Sequence, residues 1–533
     1  MPSQGVCMRL AKTLAVLFVA SFATAAVVHA QTASGEVNGT VTDSSGGLVA
    51  GATVMLTNQA TKIADRITTN SDGYFVFINI KPGRYVLGAE AKGFKTTQIS
   101  PFDVGVNQTV TQAVRLEVGA ITEHVVVNAA AVMLEGSTSD LGTVIEERAV
   151  NDLPLNGRNF TQLLTLTPGV TPVSTAQNKS IGCCEGNVGI PGSGFSDASF
   201  HGQENRSKLY FFDGIINTNI RGPTYIVIPN IDLVQEFKVV GHDAKAEYGG
   251  ATGGVVDMVS RSGTNTFHGS VFEYVRNNAF DARNTFTDFN SLTKAPSIAA
   301  FRQNQFGAEG GGPILKNKTF VSGGYDGWRY SKPPQSLTYV PTAAELAGDF
   351  SLTLVSNPNL YNPYSTVGNN RSRFLCDAQG NPLPADPTTH VQPNLAGSVA
   401  CNKIPNYTDG TGLINPATQS LLQKYSPVPN LTGVPGFDYQ QNRAEKNNSN
   451  SFQVRVDHRF RDSDNVFFRY TEQRVASFTP IGDTGSTSGG SQGRNYGGAW
   501  VHTFKPNLIL DVRAGYAGRP AVDASQQNQS SFG

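Results

Sequence analysis

The sequence predicts a mainly β protein, built from extended strands that grow longer along the chain and are punctuated by turns. Three observations lead there. Charged residues are only 15% of the 533, and 56 residues are glycine, whereas ordinary soluble domains carry about 25% charge and about 7% glycine. Segment after segment alternates apolar and polar side chains with period 2, the repeat of a strand. Beyond residue 30 no stretch approaches the ~18 consecutive apolar residues of a membrane helix. A membrane crossing would therefore have to be made by a closed sheet, the other arrangement that satisfies every backbone group in lipid. Lys+Arg and Asp+Glu balance at 41 each. With no basic run there is no electrostatic footprint for nucleic acid, and none is expected as a partner.

Residues 1–30 read as a secretory signal peptide. Arg9 and Lys12 precede the apolar run Thr13 to Val28, and small residues at Val28 and Ala30 place cleavage between Ala30 and Gln31. The competing reading is an N-terminal anchor, for which the run is short of the usual ~20 residues.

Residues 31–119 alternate as strands broken by turns. Expected strands are Gly35–Asp43, Val49–Leu56, Tyr74–Phe77 and Arg84–Leu87, then a last pair ending near Leu116. The turns fall at Ser44–Gly47, Asp72-Gly73, Pro82-Gly83 and Gly93. The succession GxVxGxVxD, DGxFxF, PGxYxL and GF resembles the carboxypeptidase regulatory-like domain, a transthyretin-like β-sandwich. Its core would hold Phe75, Phe77, Tyr85 and Leu87. The resemblance implies no peptidase, since HExxH is absent. A structural spacer and a partner- or sugar-binding module both remain open.

Residues 120–134 form a linker. Glu123, His124, Val125, Val126, Val127, Asn128 and Ala129 resemble a TonB box, the extended segment that adds a strand to an energy-coupling protein. The last strand of the sandwich and a plain linker are the alternatives.

Residues 135–264 carry the most specific pattern. Asp152–Phe160 (DLPLNGRNF) leads into a short helix over Leu163–Thr167, stopped by Pro168-Gly169. Leu209–Ile215 (LYFFDGI) is a buried strand ending in an Asp-Gly turn, and Ile231–Val239 is a helix running into a strand. Then comes Tyr248–Gly263 (YGGATGGVVDMVSRSG). In this order the stretches resemble the α+β plug of TonB-dependent receptors, and more closely the Oar-like subgroup. Tyr248, Gly249, Gly250, Gly253 and Gly254 would let plug backbone pack closely inside a barrel. Residues 171–199, with Cys183-Cys184, depart from the plug pattern and are expected to form a mobile loop.

From residue 265 to 533 the strands are amphipathic and about ten residues long, the signature of a transmembrane antiparallel β-barrel. They are expected at Phe267–Asn277, Phe301–Gly312, Thr319–Tyr330, Ser451–Phe460, Val466–Arg474, Tyr496–Phe504 and Leu508–Ala517. In the fourth, Phe452, Val454, Val456 and Phe460 share one face while Gln453, Arg455, Asp457 and Arg459 share the other. A large soluble sandwich would alternate in the same way; the plug resemblance and the signal peptide favour the barrel. Residues 331–449, rich in Pro, Asn, Gly and Ser, read as a long extracellular loop with short helices near Ala343–Leu346 and Gln419–Lys424 and a disulfide between Cys376 and Cys401. About seven strands are counted, whereas plugged outer-membrane transporters close with about 22. The expectation is a partial barrel, cut short.

The resemblance implies an outer-membrane TonB-dependent receptor that takes a substrate across the outer membrane by plug rearrangement. Its partners would be a TonB-type energy-coupling protein, outer-membrane lipid and an extracellular substrate, with no cofactor. The substrate is unspecified. The alternative is a structural or adhesive surface protein that has lost transport. No GxSxG, HExxH, P-loop or paired-carboxylate cluster stands in a context that supports an enzyme.

Overall fold

The computed structural model describes residues 34–119, 124–127, 141–153, 155, 158, 160–172, 198–203, 207–219, 225–242, 244, 248–282, 300–332, 337–352, 359–409, 411–432, 436–440, 443–481, 485–505, 508–519 and 526–527. The segment expected to be a signal peptide, with the cleavage site expected between Ala30 and Gln31, lies outside the described residues, as do Cys183 and Cys184.

The first seven strands follow the turn signals. They are β1 (Gly35–Thr42), β2 (Thr53–Asn58), β3 (Ala64–Thr68), β4 (Tyr74–Ile80), β5 (Gly83–Glu90), β6 (Thr96–Val104) and β7 (Thr109–Arg115). Alternation in β1 buries Gly35, Val37, Gly39 and Val41, and those residues face the second of two sheets. One sheet runs β4-β1-β7. The other runs β3-β2-β5-β6-β8, where β8 is His124–Val127. Phe75, Phe77, Tyr85 and Leu87 are buried between the sheets, as expected. Two expectations need correction. Residues 49–52 are not strand: Gly51 takes φ +72° and the chain turns before β2 begins. And β3, too polar to show alternation, is held by pairing along β2.

The middle segment is built on a five-stranded mixed sheet. Its strands are β9 (Leu141–Ile145), β12 (Lys208–Phe212), β13 (Ile215–Ile216), β14 (Val234–His242) and β15 (Gly254–Ser260), in the order β13-β12-β15-β14-β9. The two-stranded β10 (Val170–Pro172) and β11 (Ala198–Phe200) lie beside it. Every residue of β15 is buried, which is why it reads as a near-continuous apolar run. Phe160, Leu163, Leu164, Tyr210, Phe212, Phe237, Val256 and Met258 form the core on one face. The helix expected over Leu163–Thr167 is a 3₁₀ helix, Phe160–Leu166, ended where Gly169 adopts φ +78°. The helix expected at Ile231 is a single 3₁₀ turn, Ile231–Leu233, capped by Asn230, because β14 draws the chain into sheet from Val234.

The third part is one antiparallel sheet with neighbours in chain order. It comprises β16 (His268–Asn277), β17 (Arg302–Leu315), β18 (Thr319–Lys332), β23 (Glu445–Arg461), β24 (Asp464–Ile481), β25 (Gly485–Lys505) and β26 (Leu508–Gly518), with β27 (Gln526–Gln527) on β25. The strands run longer than expected, to 21 residues in β25, because ladder pairing carries them past the amphipathic stretch into Gly/Ser/Asn-rich sequence. Pro313 lies within β17, just past the end expected for that strand at Gly312. The sheet's polarity is inverted relative to a soluble protein. Gln453, Arg455, Asp457, Arg459, Arg469, Thr471 and Gln473 are buried, while Phe452, Phe468, Trp500, Val512 and Tyr516 are 42–52% exposed.

Residues 337–440 are more structured than a plain loop. They hold β19 (Leu337–Thr338) paired with β22 (Tyr439–Gln440), β20 (Leu375–Cys376) paired with β21 (Val399–Ala400), and helices Ala343–Leu346 and Pro416–Tyr425. Cys376 and Cys401 are disulfide-bonded with Cα atoms 5.8 Å apart. Thr342 and Glu345 form a capping box, and Phe374, Ala385 and Tyr439 are buried.

Candidate functional site

The site begins at an Asp-Gly turn. Between β12 and β13, Asp213 and Gly214 both take positive φ, +52° and +74°, which is the two-residue hairpin geometry that Asp-Gly favours. The turn delivers the Asp213 carboxylate into the space between the middle segment and the long sheet, where it is 2% exposed. Oδ1 accepts from the Ser260 backbone N–H at 2.9 Å and from Arg455 Nη1 at 3.0 Å. Oδ2 accepts from Ser260 Oγ at 2.7 Å and from Arg469 Nε at 2.7 Å. Burial alone would raise its pKa; the charges of Arg455 and Arg469 and the Ser260 bonds outweigh that and hold it below the usual carboxylate range.

Each arginine is held by further partners. Arg455 forks onto Asp457 with both bonds at 2.9 Å. Arg469, fully buried, donates to Phe212 O at 3.1 Å, Asn495 Oδ1 at 2.8 Å and Thr471 Oγ1 at 3.0 Å, and its guanidinium lies 3.7 Å from the Phe212 ring centroid. Arg513, paired with Asp511 at 3.0 Å, donates to Asp213 O at 3.2 Å. Asp457 also accepts from Lys81 Nζ at 2.6 Å and from Ser262 Oγ at 2.9 Å. A charge network thus runs from the sandwich (Lys81) through the sheet (Asp457, Arg455, Arg469) to the middle segment (Asp213). It borders a cavity of about 200 Å³ lined by Lys81, Tyr85, Ser262, Arg455, Asp457 and Phe467. A buried charge removed from water is tolerated only when paired and hydrogen-bonded, and here each one is. The arrangement fixes one position of the middle segment against the sheet. Among the described residues no cluster of three or more His, Cys, Asp or Glu could hold a metal ion.

The sequence-derived candidates fall elsewhere. His124, Val125, Val126 and Val127 form β8, which pairs in parallel with Thr96–Ile99 of β6; Glu123, Asn128 and Ala129 lie outside the described residues. The strand therefore joins the sandwich, the alternative reading of that segment, and among the described residues its other edge is unpaired. Of the glycine motif, Gly253 and Gly254 do serve close packing. A Cβ on Gly253 would collide with Ser207 Oγ, and one on Gly254 (φ +129°) would sit 2.8 Å from Phe200 Cδ1 and 2.9 Å from Val240 O. All three neighbours belong to the middle segment itself. Among the described residues nothing lies within 4 Å of a Cβ built on Gly249 or Gly250; Gly250 supplies φ +85° for a turn. Tyr248 is buried against Phe211, ring centroids 5.5 Å apart. The sequence marked Asp213 only as the start of a turn and gave Asp213, Arg469 and Arg513 no role in a site. The available signal was an arginine at inward-facing positions of strands whose other face is apolar.

Residues 259–533, just over half of the chain, match the family model described as outer membrane beta barrel domain. The chain belongs to this outer-membrane barrel family. It is accordingly a protein of the outer membrane. Residues 36–117, the β1–β7 sandwich with Leu116 and Glu117, match the carboxypeptidase regulatory-like domain. The chain is 23% identical over 388 residues to the TonB-dependent transporter Oar of Myxococcus xanthus, an alignment that takes in 69% of this chain and 32% of that protein. Among solved structures it is similar to the outer membrane transporter YddB from Escherichia coli, with TM-score 0.41, 11% identity, and 71% of this chain and 38% of that one covered. It is also similar to the siderophore receptor PiuA from Acinetobacter baumannii, with TM-score 0.34, 11% identity, and 72% and 46% covered. The chain spans about a third of the length of the curated relative and less than half of these solved chains. The family match begins at Val259, one residue before Ser260, so the barrel family's boundary falls at the charge network.

Proposed function

We propose that the protein acts in energised passage of a substrate across the outer membrane, with residues 135–264 as a plug, residues 265–533 as barrel wall, and the sandwich on the periplasmic side. The observation that carries this reading is the inverted sheet. Its polar face is buried against the Asp213 segment, and its apolar face looks outward. In water each exposed side chain of this size would cost on the order of 1.5–3 kcal/mol relative to burial; against lipid that cost disappears. Tyr470, Tyr496 and Tyr516 stack across three strands, with centroids 6.4 and 5.3 Å apart. Phe504 lies eight residues further along β25, about 26 Å along a strand. An aromatic row and a further aromatic at that spacing suit the girdles flanking an apolar band of about 25 Å. All connections at one end are short, three residues after β17 and two after β23 and β25, while those at the other range from three residues after β24 to the long insertion 333–444. This is the asymmetry of periplasmic turns and extracellular loops.

Energy would come from a TonB-type partner that pulls on the region of residues 121–129. The homologous Oar protein is named a TonB-dependent transporter, and that name supports the mechanism here only as a proposal. A second reading, a structural or adhesive surface protein, is favoured by one observation: β8 is already engaged by β6. Deleting residues 121–129 separates the two. Uptake of a panel of ferric chelates, oligosaccharides and peptides by the expressing cell is compared with surface attachment. Uptake lost with attachment kept supports transport; uptake unchanged by the deletion refutes energised transport through this segment.

A further inference from the structure

We propose that the β6–β7 turn of the sandwich, Gly105–Gln108, is a latch on the plug that must be undocked before the plug's sheet can rearrange; the inference rests on the plug reading above. The turn is preformed. Gln108 Oε1 accepts from Gly105 N–H at 2.8 Å, and Asn107 holds φ +51°, a left-handed conformation that asparagine tolerates better than most residues. Its tip crosses from the sandwich onto β14 and β15. Val106 N–H donates to the Glu236 carboxylate. Asn107 Nδ2 donates to Tyr248 Oη at 2.7 Å and to Asp257 Oδ2 at 3.1 Å, and Asn107 O accepts from Lys238 Nζ at 2.9 Å. Val106 is fully buried and forms with Val259 an apolar pair apart from both main cores.

Strand alternation explains why this contact is separable. Phe237, Val239, Val256 and Met258 point into the plug core. Alternation sends Glu236, Lys238 and Asp257 to the opposite face, where they are nonetheless at most 8% exposed. A face with three ionisable groups in two adjacent strands is built for water or for polar partners, and the sandwich turn supplies the partners. If the turn leaves, the same three groups rehydrate, which offsets much of the hydrogen bonding lost. An apolar weld of this area would gain no such return. The sandwich is also tied to the barrel wall, through Asn79 to Asp511 at 2.7 Å, Lys81 to Asp457 at 2.6 Å and Asp65 to Arg459 at 3.0 Å. It therefore bridges plug and wall across their common edge, and the plug cannot shift relative to the wall while both contacts hold.

The test is hydrogen exchange followed by mass spectrometry on the full chain in detergent micelles, for the wild type, Asn107→Gly, and Asn79→Ala/Lys81→Ala. Glycine keeps the left-handed backbone and removes the side-chain bonds. The latch predicts at least tenfold faster exchange over Val234–His242 and Gly254–Ser260 in Asn107→Gly, with β4 and β5 of the sandwich as protected as in the wild type. The Asn79/Lys81 pair, which loosens the wall side only, should give a smaller change of the same kind. Unchanged exchange in both variants overturns the proposal. So does simultaneous loss of protection in plug and sandwich, which would make the turn part of one cooperative unit. The readout needs no coupling protein and no substrate, so a failed uptake assay and a failed latch are distinguishable.

Discussion

Asp213 is the residue on which the seating of the middle segment turns, and Asp213→Asn tests it. The substitution preserves shape and removes the charge. Arg455 keeps its fork to Asp457. Arg469 keeps only neutral partners, Phe212 O, Asn495 and Thr471, and it is fully buried. One buried cation is thus left uncompensated, which costs about 3–5 kcal/mol. The new amide also turns donors toward a guanidinium that can only donate. Exchange protection of Lys208–Phe212 and Gly254–Ser260 should fall by a factor on the order of 10²–10³ at 1.4 kcal/mol per decade. Arg469→Met alone should cost less, because Asp213 retains Arg455 and the two Ser260 bonds. The double variant should recover at least about 1.5 kcal/mol relative to the sum of the singles, the mark of a direct pair. An Asp213→Asn variant within about 0.5 kcal/mol of wild type, or strict additivity in the cycle, would show that the network does not seat the segment.

Three further outcomes follow from the same geometry. Burial raises the Asp257 carboxyl to about 7, and its Oδ1 has no partner among the described residues. The folded state therefore holds a proton that the unfolded chain releases near pH 4, so its contribution to stability declines as pH rises from about 4 to about 7 and is then flat. Urea titrations in micelles at pH 5 and pH 8 should show the decline, and Asp257→Asn should abolish that part of it; an unaltered slope in the variant refutes the assignment. Gly249→Ala, with open space at its Cβ, should change stability by no more than about 0.5 kcal/mol, whereas Gly254→Ala, meeting Phe200 and Val240 at positive φ, should cost about 2 kcal/mol or more in the same melts. Equal effects would contradict the division of the glycine motif. Replacing Cys376 and Cys401 by serine opens a cross-link spanning 25 residues, for which the chain-entropy relation gives about 3.5 kcal/mol. Residues 337–440 should then be cut faster by protease while β23–β26 stay resistant, and unchanged cleavage would show that the short ladders hold this region unaided.

What was legible in the sequence is what short-range chemistry encodes. Period-2 alternation marked the strands of the sandwich and of the long sheet, because successive side chains of a strand point to opposite faces whatever lies beyond. Asp213-Gly214 announced a hairpin because left-handed backbone is cheap for that pair. Phe75, Phe77, Tyr85 and Leu87 announced a core because in each strand they sit two residues apart, on one face. Tertiary structure alone decided the rest. Asp213 meets Arg455 and Arg469 across 242 and 256 residues of chain, a distance over which no local pattern carries information. Gly249 and Gly253 look alike in the sequence, and only the neighbour that each meets separates a turn residue from a packing residue. At the linker, His124–Val127 could equally have been a strand of the sandwich or a free segment, and an available edge on β6 made it a strand. Alternation fixes which residues share a face; which face is buried, and against which charges, depends on the surface that long-range topology brings to it.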